Sequence, residues 1–125
     1  MTDISEVAPH LYVASRFYAL ENLPRHSVVI DCSASLTDDD KPQNEAIELL
    51  ARTALTVSRF KGGNAVLLCD AGRNRSAVVA AKALMLDGYP SEEAIKVVRA
   101  AREGALGRSG GALTNASFVE YLISP

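Results

Sequence analysis

The chain has 125 residues, of which 48% are hydrophobic, 22% charged and 6% aromatic, with a formal net charge of -2, two cysteines and no tryptophan. That is enough chain for one domain (1–125) with its own core and no covalent staples. Thirteen Lys+Arg against fifteen Asp+Glu exclude the strongly basic face that broad binding to a nucleic-acid backbone needs, so any anion is expected to be held locally. The longest apolar stretch, Ala77 to Leu86, is interrupted by Lys82 and falls short of the roughly 20 residues of a membrane span, so no membrane association is expected. Asp3 and Glu6 near the N-terminus, without a basic n-region, do not resemble a signal peptide, and two cysteines make no disulfide framework. A reducing cytoplasm is the expected location.

In chain order, three short β-rich runs stand out: Leu11 to Ala14, Val28 to Asp31 and Ala65 to Cys69. Each is apolar without clean alternation, the pattern of strands covered on both faces. Between the second and third, Asp38-Asp39-Asp40-Lys41-Pro42 precedes Ile47, Leu50, Ala51, Ala54, Leu55 and Ser58, helical spacing opened by acidic caps and an early proline. Lys61-Gly62-Gly63-Asn64 supplies the turn into the third strand. A helix nearly apolar all round is predicted from Arg75 to Asp87, with Gly88 just past its end, and such a helix belongs in the middle of a domain. Pro90-Ser91-Glu92-Glu93 opens another, with Ala94, Ile95, Val98 and Ala101 on one face and Lys96, Arg99 and Arg102 elsewhere. A Gly-rich loop containing Arg108 follows, then a last short helix from Thr114 to Ile123. The alternation implies an α/β domain: a central, mostly parallel sheet of about four to five strands flanked by helices.

The stretch that carries chemistry is Ala65-Val66-Leu67-Leu68-Cys69-Asp70-Ala71-Gly72-Arg73-Asn74-Arg75-Ser76. A buried strand ends in a cysteine, a tight loop follows, and an arginine and a serine open a helix. Successive backbone N–H groups of such a loop converge, and the helix N-terminus adds partial positive charge, so the segment reads as an anion site. A cysteine placed there is favoured as a nucleophilic thiolate. The planar guanidinium of Arg75 can grip two phosphoryl oxygens at once, and the Ser76 hydroxyl can donate to the sulfur. A cysteine six residues before an arginine is a weak signal alone; the preceding strand, the included glycine and the following helix make it strong. The competing reading of Cys69 is a buried structural cysteine at a strand end.

Cys69 to Ser76 resembles the C-x5-R-[ST] signature of the cysteine-dependent protein tyrosine phosphatases, and most closely their small dual-specificity branch. Val7-Ala8-Pro9-His10-Leu11-Tyr12-Val13-Ala14-Ser15 is similar to that branch's N-terminal segment, and Asn115-Ala116-Ser117-Phe118-Val119-Glu120-Tyr121-Leu122 to its closing N-x-x-F-x-x-x-L helix. The low-molecular-weight phosphatases also share C-x5-R, but near the N-terminus with the acid far downstream, which is not the order here. The resemblance implies attack of Cys69 on phosphorus. The oxygens would be held by Arg75 and the amides of Asp70, Ala71, Gly72, Arg73 and Asn74, and an aspartic acid would protonate the leaving oxygen and then activate water. That acid should stand about 30 residues before the cysteine, which points to Asp38, Asp39 or Asp40, with Asp39 favoured because Asn44 matches a polar position the family shows; helix capping is the competing role for these acids. The resemblance also allows Cys32 as a second thiol able to trap oxidised Cys69, against its alternative as a small core residue.

Two departures stand out. The family has histidine where this chain has Leu68, which implies a less acidic thiolate and lower activity. Asp70 and Arg73 together leave the loop close to neutral, which disfavours polyanionic inositol phosphates. Isolated His10 and His26 suggest no metal site, and no cofactor is expected. Asn115 is either a helix-terminal polar residue or a support for the phosphate loop, and Tyr12, Phe17, Tyr18, Phe60, Phe118 and Tyr121 are expected in the core. The function implied is hydrolysis of phosphotyrosine, with phosphoserine and phosphothreonine as further substrates, by a monomer whose partners are phosphorylated proteins or peptides and whose pocket takes phosphate or sulfate. The alternatives are a phospho-binding module with little turnover and a phosphoinositide or RNA 5′-phosphatase.

Overall fold

The computed structural model of the chain describes residues 4–16, 23–37, 43–59, 63–106 and 111–124. Asp38, Asp39, Asp40, Phe17, Tyr18, Phe60 and Arg108 lie outside the described residues. Four strands, β1 (Ile4–Ala8), β2 (Leu11–Ser15), β3 (Ser27–Asp31) and β4 (Asn64–Cys69), form one sheet in the order β1-β2-β4-β3. β2, β3 and β4 run parallel and β1 pairs antiparallel with β2. Among the described residues the helices are α1 (Asn44–Arg59), α2 (Arg75–Leu86), α3 (Ser91–Leu106) and α4 (Ala116–Ile123), and a 3-10 turn, Cys32–Ala34, follows β3. This is the single-domain α/β arrangement that the alternation of elements implies.

The parallel pairs follow from the intervening helices, which carry the chain back across the sheet before the next strand begins. β4 sits between β2 and β3, and all its residues from Ala65 to Cys69 are buried. β3 departs from the expectation of cover on both faces: Val28 and Val29 are 45% and 40% exposed, because β3 is an edge strand of the sheet. β1 is not among the apolar runs. Ser5 and Glu6 interrupt it, and it is held by pairing with β2, Glu6 opposite Tyr12, across a turn in which His10 adopts φ 65.

The main core lies between one face of the sheet and the helices. α2 buries eight of its residues there, from Ser76 to Leu84, and lies against α1, α3, α4, β2 and β4. Its end is a paired-turn cap: Gly88, at φ 107, donates to the Met85 carbonyl at 3.0 Å, and Tyr89 to that of Leu84 at 3.0 Å. α1 buries Ile47, Ala51 and Ala54 at i, i+4, i+7 spacing. α4 starts two residues later than the spacing suggests because Asn115 caps it, accepting from Ser117 N–H at 3.0 Å and Phe118 N–H at 3.3 Å. Its Phe118 is fully buried, and the Lys82 ammonium of α2 stands 5.4 Å from the Tyr121 ring centre. On the other face of the sheet Ala14, Val66 and Leu68 form a smaller apolar cluster with Ile4 and Tyr12.

These features differ in how much they should contribute. Phe118→Ala empties a fully buried site and is expected to cost about 3–5 kcal/mol in urea unfolding. Gly88→Ala meets no atom within 4 Å, so it should cost only the backbone strain of a positive φ, about 1–2 kcal/mol.

Candidate active site

The central position of β4 brings Cys69 to the middle of the sheet's carboxyl end, where the chain turns directly into α2. Residues 70–74 form the turn, and Cys69, Asp70, Ala71, Arg73, Asn74, Arg75 and Thr114 line one pocket. Cys69 is 2% exposed, at the floor. Its Sγ lies 3.2 Å from Ser76 Oγ and accepts from the Ser76 N–H at 3.5 Å. Ser76 is itself fully buried, so the hydroxyl is fixed against the sulfur. Arg75 stands at the first residue of α2 with its side chain 20% exposed. Arg73 Nε is buried without an acceptor. The loop residues expected to act together are thus in one place: Cys69, Arg75 and Ser76 with the amides of residues 70–74.

The amide supply at this helix end has a local cause. Asn74 occupies the capping position of α2 but makes no side-chain capping bond. Its Oδ1 accepts from Asn115 N–H at 2.9 Å and its Nδ2 donates to Thr114 Oγ1 at 3.1 Å. With that side chain used elsewhere, the first-turn N–H groups of α2 remain for the sulfur and for an anion in the pocket. Asn115 therefore fills both roles open in the sequence: its side chain caps α4 and its backbone N–H supports the loop. The Leu113 N–H adds a bond to the Arg73 carbonyl at 2.9 Å, and Arg99 holds the preceding strip through the Leu113 carbonyl at 3.0 Å.

Two side chains that the sequence does not tie to this loop reach it in the structure. Arg102, expected on the polar side of α3, is fully buried and directed at the loop: Nε donates to the Gly72 carbonyl at 2.9 Å and Nη2 to that of Ala71 at 3.3 Å. Its spacing from Ile95 and Val98, seven and four residues, was the available signal, and its charge obscured it. Arg16 directly follows β2. Because Ser15 pairs with Cys69, the next residues, Arg16 and Asp70, face each other, and Arg16 Nε meets Asp70 Oδ1 at 3.1 Å. The same guanidinium grips Asp31 with two nitrogens, at 2.8 and 2.9 Å, and donates to Ser33 Oγ. Asp70 Oδ2 in turn reaches Arg75 Nη2 at 3.4 Å.

This chain of charges sets the protonation of both acids. Arg16 holds the Asp31 carboxyl below the usual carboxylate range, helped by Ser33, and holds Asp70 low as well, with Arg75 contributing. Cys32 behaves oppositely: burial pushes its thiol well up, and Cys69 nearby adds to this. Cys32 is fully buried, and both cysteines are free thiols. Leu68 turns into the apolar cluster on the sheet's far face. His10 donates through Nδ1 to Asn64 Oδ1 at 2.9 Å, and among the described residues no three metal-ligating side chains cluster. Nor is any described helix long and apolar enough to cross a membrane.

A cysteine at the end of a central strand, a tight loop and a helix start thus surround one pocket, on the fold of the dual-specificity phosphatases. Among solved structures, human DUSP28 superposes with a TM-score of 0.78 at 23% identity, covering 98% of this chain and 91% of that one. A mouse protein assigned to the dual specificity phosphatases and solved with zinc tungstate superposes with a TM-score of 0.81, also at 23% identity, covering 98% and 85%. A tyrosine-to-histidine variant of human DUSP28 gives 0.73 at 19% identity, covering 98% and 95%. No family model matches the chain, and no curated protein does.

Because the Asp31 carboxyl is lowered on folding, its contribution to stability is present above the unfolded value of about 3.9 and is lost as pH falls through the folded value. Asp31 is 36% exposed, so that contribution is about 1 kcal/mol or less. Asp31→Asn is expected to melt below the wild type at pH 7, with the difference closing below about pH 3, as thermal melts across pH would read.

Proposed function

We propose that the protein is a phosphomonoester hydrolase acting on phosphorylated proteins or peptides, with phosphotyrosine as the main substrate and phosphoserine and phosphothreonine accepted in a shallow pocket. The observation that carries this reading is the Cys69 sulfur at the pocket floor, with the Ser76 hydroxyl and N–H both against it and Arg75 at the rim. The Cys69 thiolate attacks phosphorus in line, forming the S–P bond as the P–O bond to the leaving group breaks. Arg75 and the loop amides hold the three equatorial oxygens. A carboxylic acid protonates the departing oxygen, and as carboxylate it then takes a proton from the water that cleaves the S–P bond, returning the thiolate. Ser76 Oγ, donating to sulfur, eases that departure.

Asp70 and Asp31 are both held ionised by Arg16, so neither is suited to give a proton near neutral pH. The role is assigned to Asp39, with Asp38 and Asp40 as its neighbours. Of the described residues on either side of them in sequence, Gln43 Nε2 donates to Thr37 Oγ1 at 2.8 Å, and the preceding Cys32–Ala34 turn packs on β4 and α2. A reduced nucleophilic thiol suits a cytoplasmic location, and the reading requires one chain and no metal. Leu68 favours a second reading, a phospho-binding module with slow turnover, since the histidine that would order the loop is replaced by a packed apolar side chain.

Hydrolysis of an aryl phosphate decides between the two readings. The wild type should turn over and Cys69→Ser should not, while both bind tungstate. Wild type and Cys69→Ser turning over equally would refute the enzyme reading, and tungstate binding without turnover by the wild type would favour the second. With a poor leaving group, Asp39→Asn is expected to lose about 10²–10⁴-fold in kcat and Asp38→Asn and Asp40→Asn much less.

A further inference from the structure

Arg102 is the fully buried cation of α3, and the bonds described for it converge on the site from behind. Besides the Ala71 and Gly72 carbonyls, Nη1 donates to Ser5 Oγ of β1 at 3.2 Å and to the Val13 carbonyl of β2 at 3.3 Å. One planar group thus ties the loop to two strands, using donors spread over all three nitrogens. The loop is shaped to admit it. Gly72 has φ +62, and a Cβ there would lie 2.5 Å from Arg102 Nη2 and 2.8 Å from the backbone of Ala14, distances that no side chain tolerates.

Building on the oxyanion-pocket reading, we propose that Arg102 is the positioning residue that aims the loop amides at the substrate phosphoryl group. In a trans peptide the C=O and N–H point in opposite directions. The Ala71 carbonyl shares its peptide with the Gly72 N–H, and the Gly72 carbonyl with the Arg73 N–H. Holding both carbonyls on a cation behind the loop turns those two N–H groups toward the pocket. The charge on the carbonyl side also polarises both peptides, which strengthens their N–H groups as donors. Arg102 itself touches no substrate atom. Lysine at this position would present its donors from one point and could not serve both carbonyls and both strands.

The test separates positioning from stability by comparing Arg102→Lys with Val98→Ala, a core truncation on the same face of α3, four residues earlier and fully buried. Tungstate affinity by titration calorimetry and KM for an aryl phosphate are read alongside thermal melts. Arg102→Lys should weaken tungstate binding and raise KM by about tenfold or more, while Val98→Ala, though it melts lower, should keep both within about twofold. Equal shifts in the two variants would overturn the proposal. Amide NMR of the wild type gives a check that needs no variant: tungstate should move the Gly72 and Arg73 N–H signals, and their staying unmoved while tungstate binds would also overturn it. Binding without turnover would remove the hydrolase reading and leave the positioning role measurable; a wild type that binds no oxyanion would remove both.

Discussion

The buried carbonyls of the loop between Cys69 and α2 must each find a donor, and in this protein that requirement organises the site. Each peptide has one donor and one acceptor, and a buried carbonyl left unpaired costs about 1–3 kcal/mol. The Ala71 and Gly72 carbonyls go to Arg102 and the Arg73 carbonyl to Leu113 N–H. Asn74, Thr114 and Asn115 tie the end of the loop to the start of α4. The elements around the pocket are thus tied together through the back of the loop.

The electrostatics follow the same division. Arg16, Asp31, Asp70 and Arg75 form an alternating chain along the carboxyl ends of β2, β3 and β4, with each carboxylate held ionised. Of the two cations in this set, Arg16 has two acidic neighbours and Arg75, which lines the pocket, has one. Cys32, in contrast, stays a protonated core thiol one position beyond the last β3–β4 pair, Asp31 with Leu68.

Much of this was legible in the sequence because it is local. The run from Ala65 to Ser76 contains strand, turn and helix start in adjacent residues, and α2 begins at Arg75 as its pattern implies. What was not legible depends on pairing between distant segments. β1 has Ser5 and Glu6 at its centre and is a strand only because β2 lies beside it. Arg16 meets Asp70 through the β2–β4 register, which no single segment contains. Arg102 lies at the right interval from Ile95 and Val98 for the buried stripe, but a charged side chain argues for solvent unless its acceptors are known, and they lie 30 and more residues away.

The bond from Arg102 to Ser5 joins residues 97 apart in sequence. The pocket itself is built from a short local segment, yet its backing spans nearly the whole chain, from the first strand to the third helix. During synthesis the strand, loop and helix from Ala65 to Leu86 would all have emerged before Arg102 does, so the loop can exist as secondary structure before its carbonyls are held. The backing of the loop is therefore a long-range closure, whose entropic cost falls on contacts between distant segments rather than on the helix that carries Arg75.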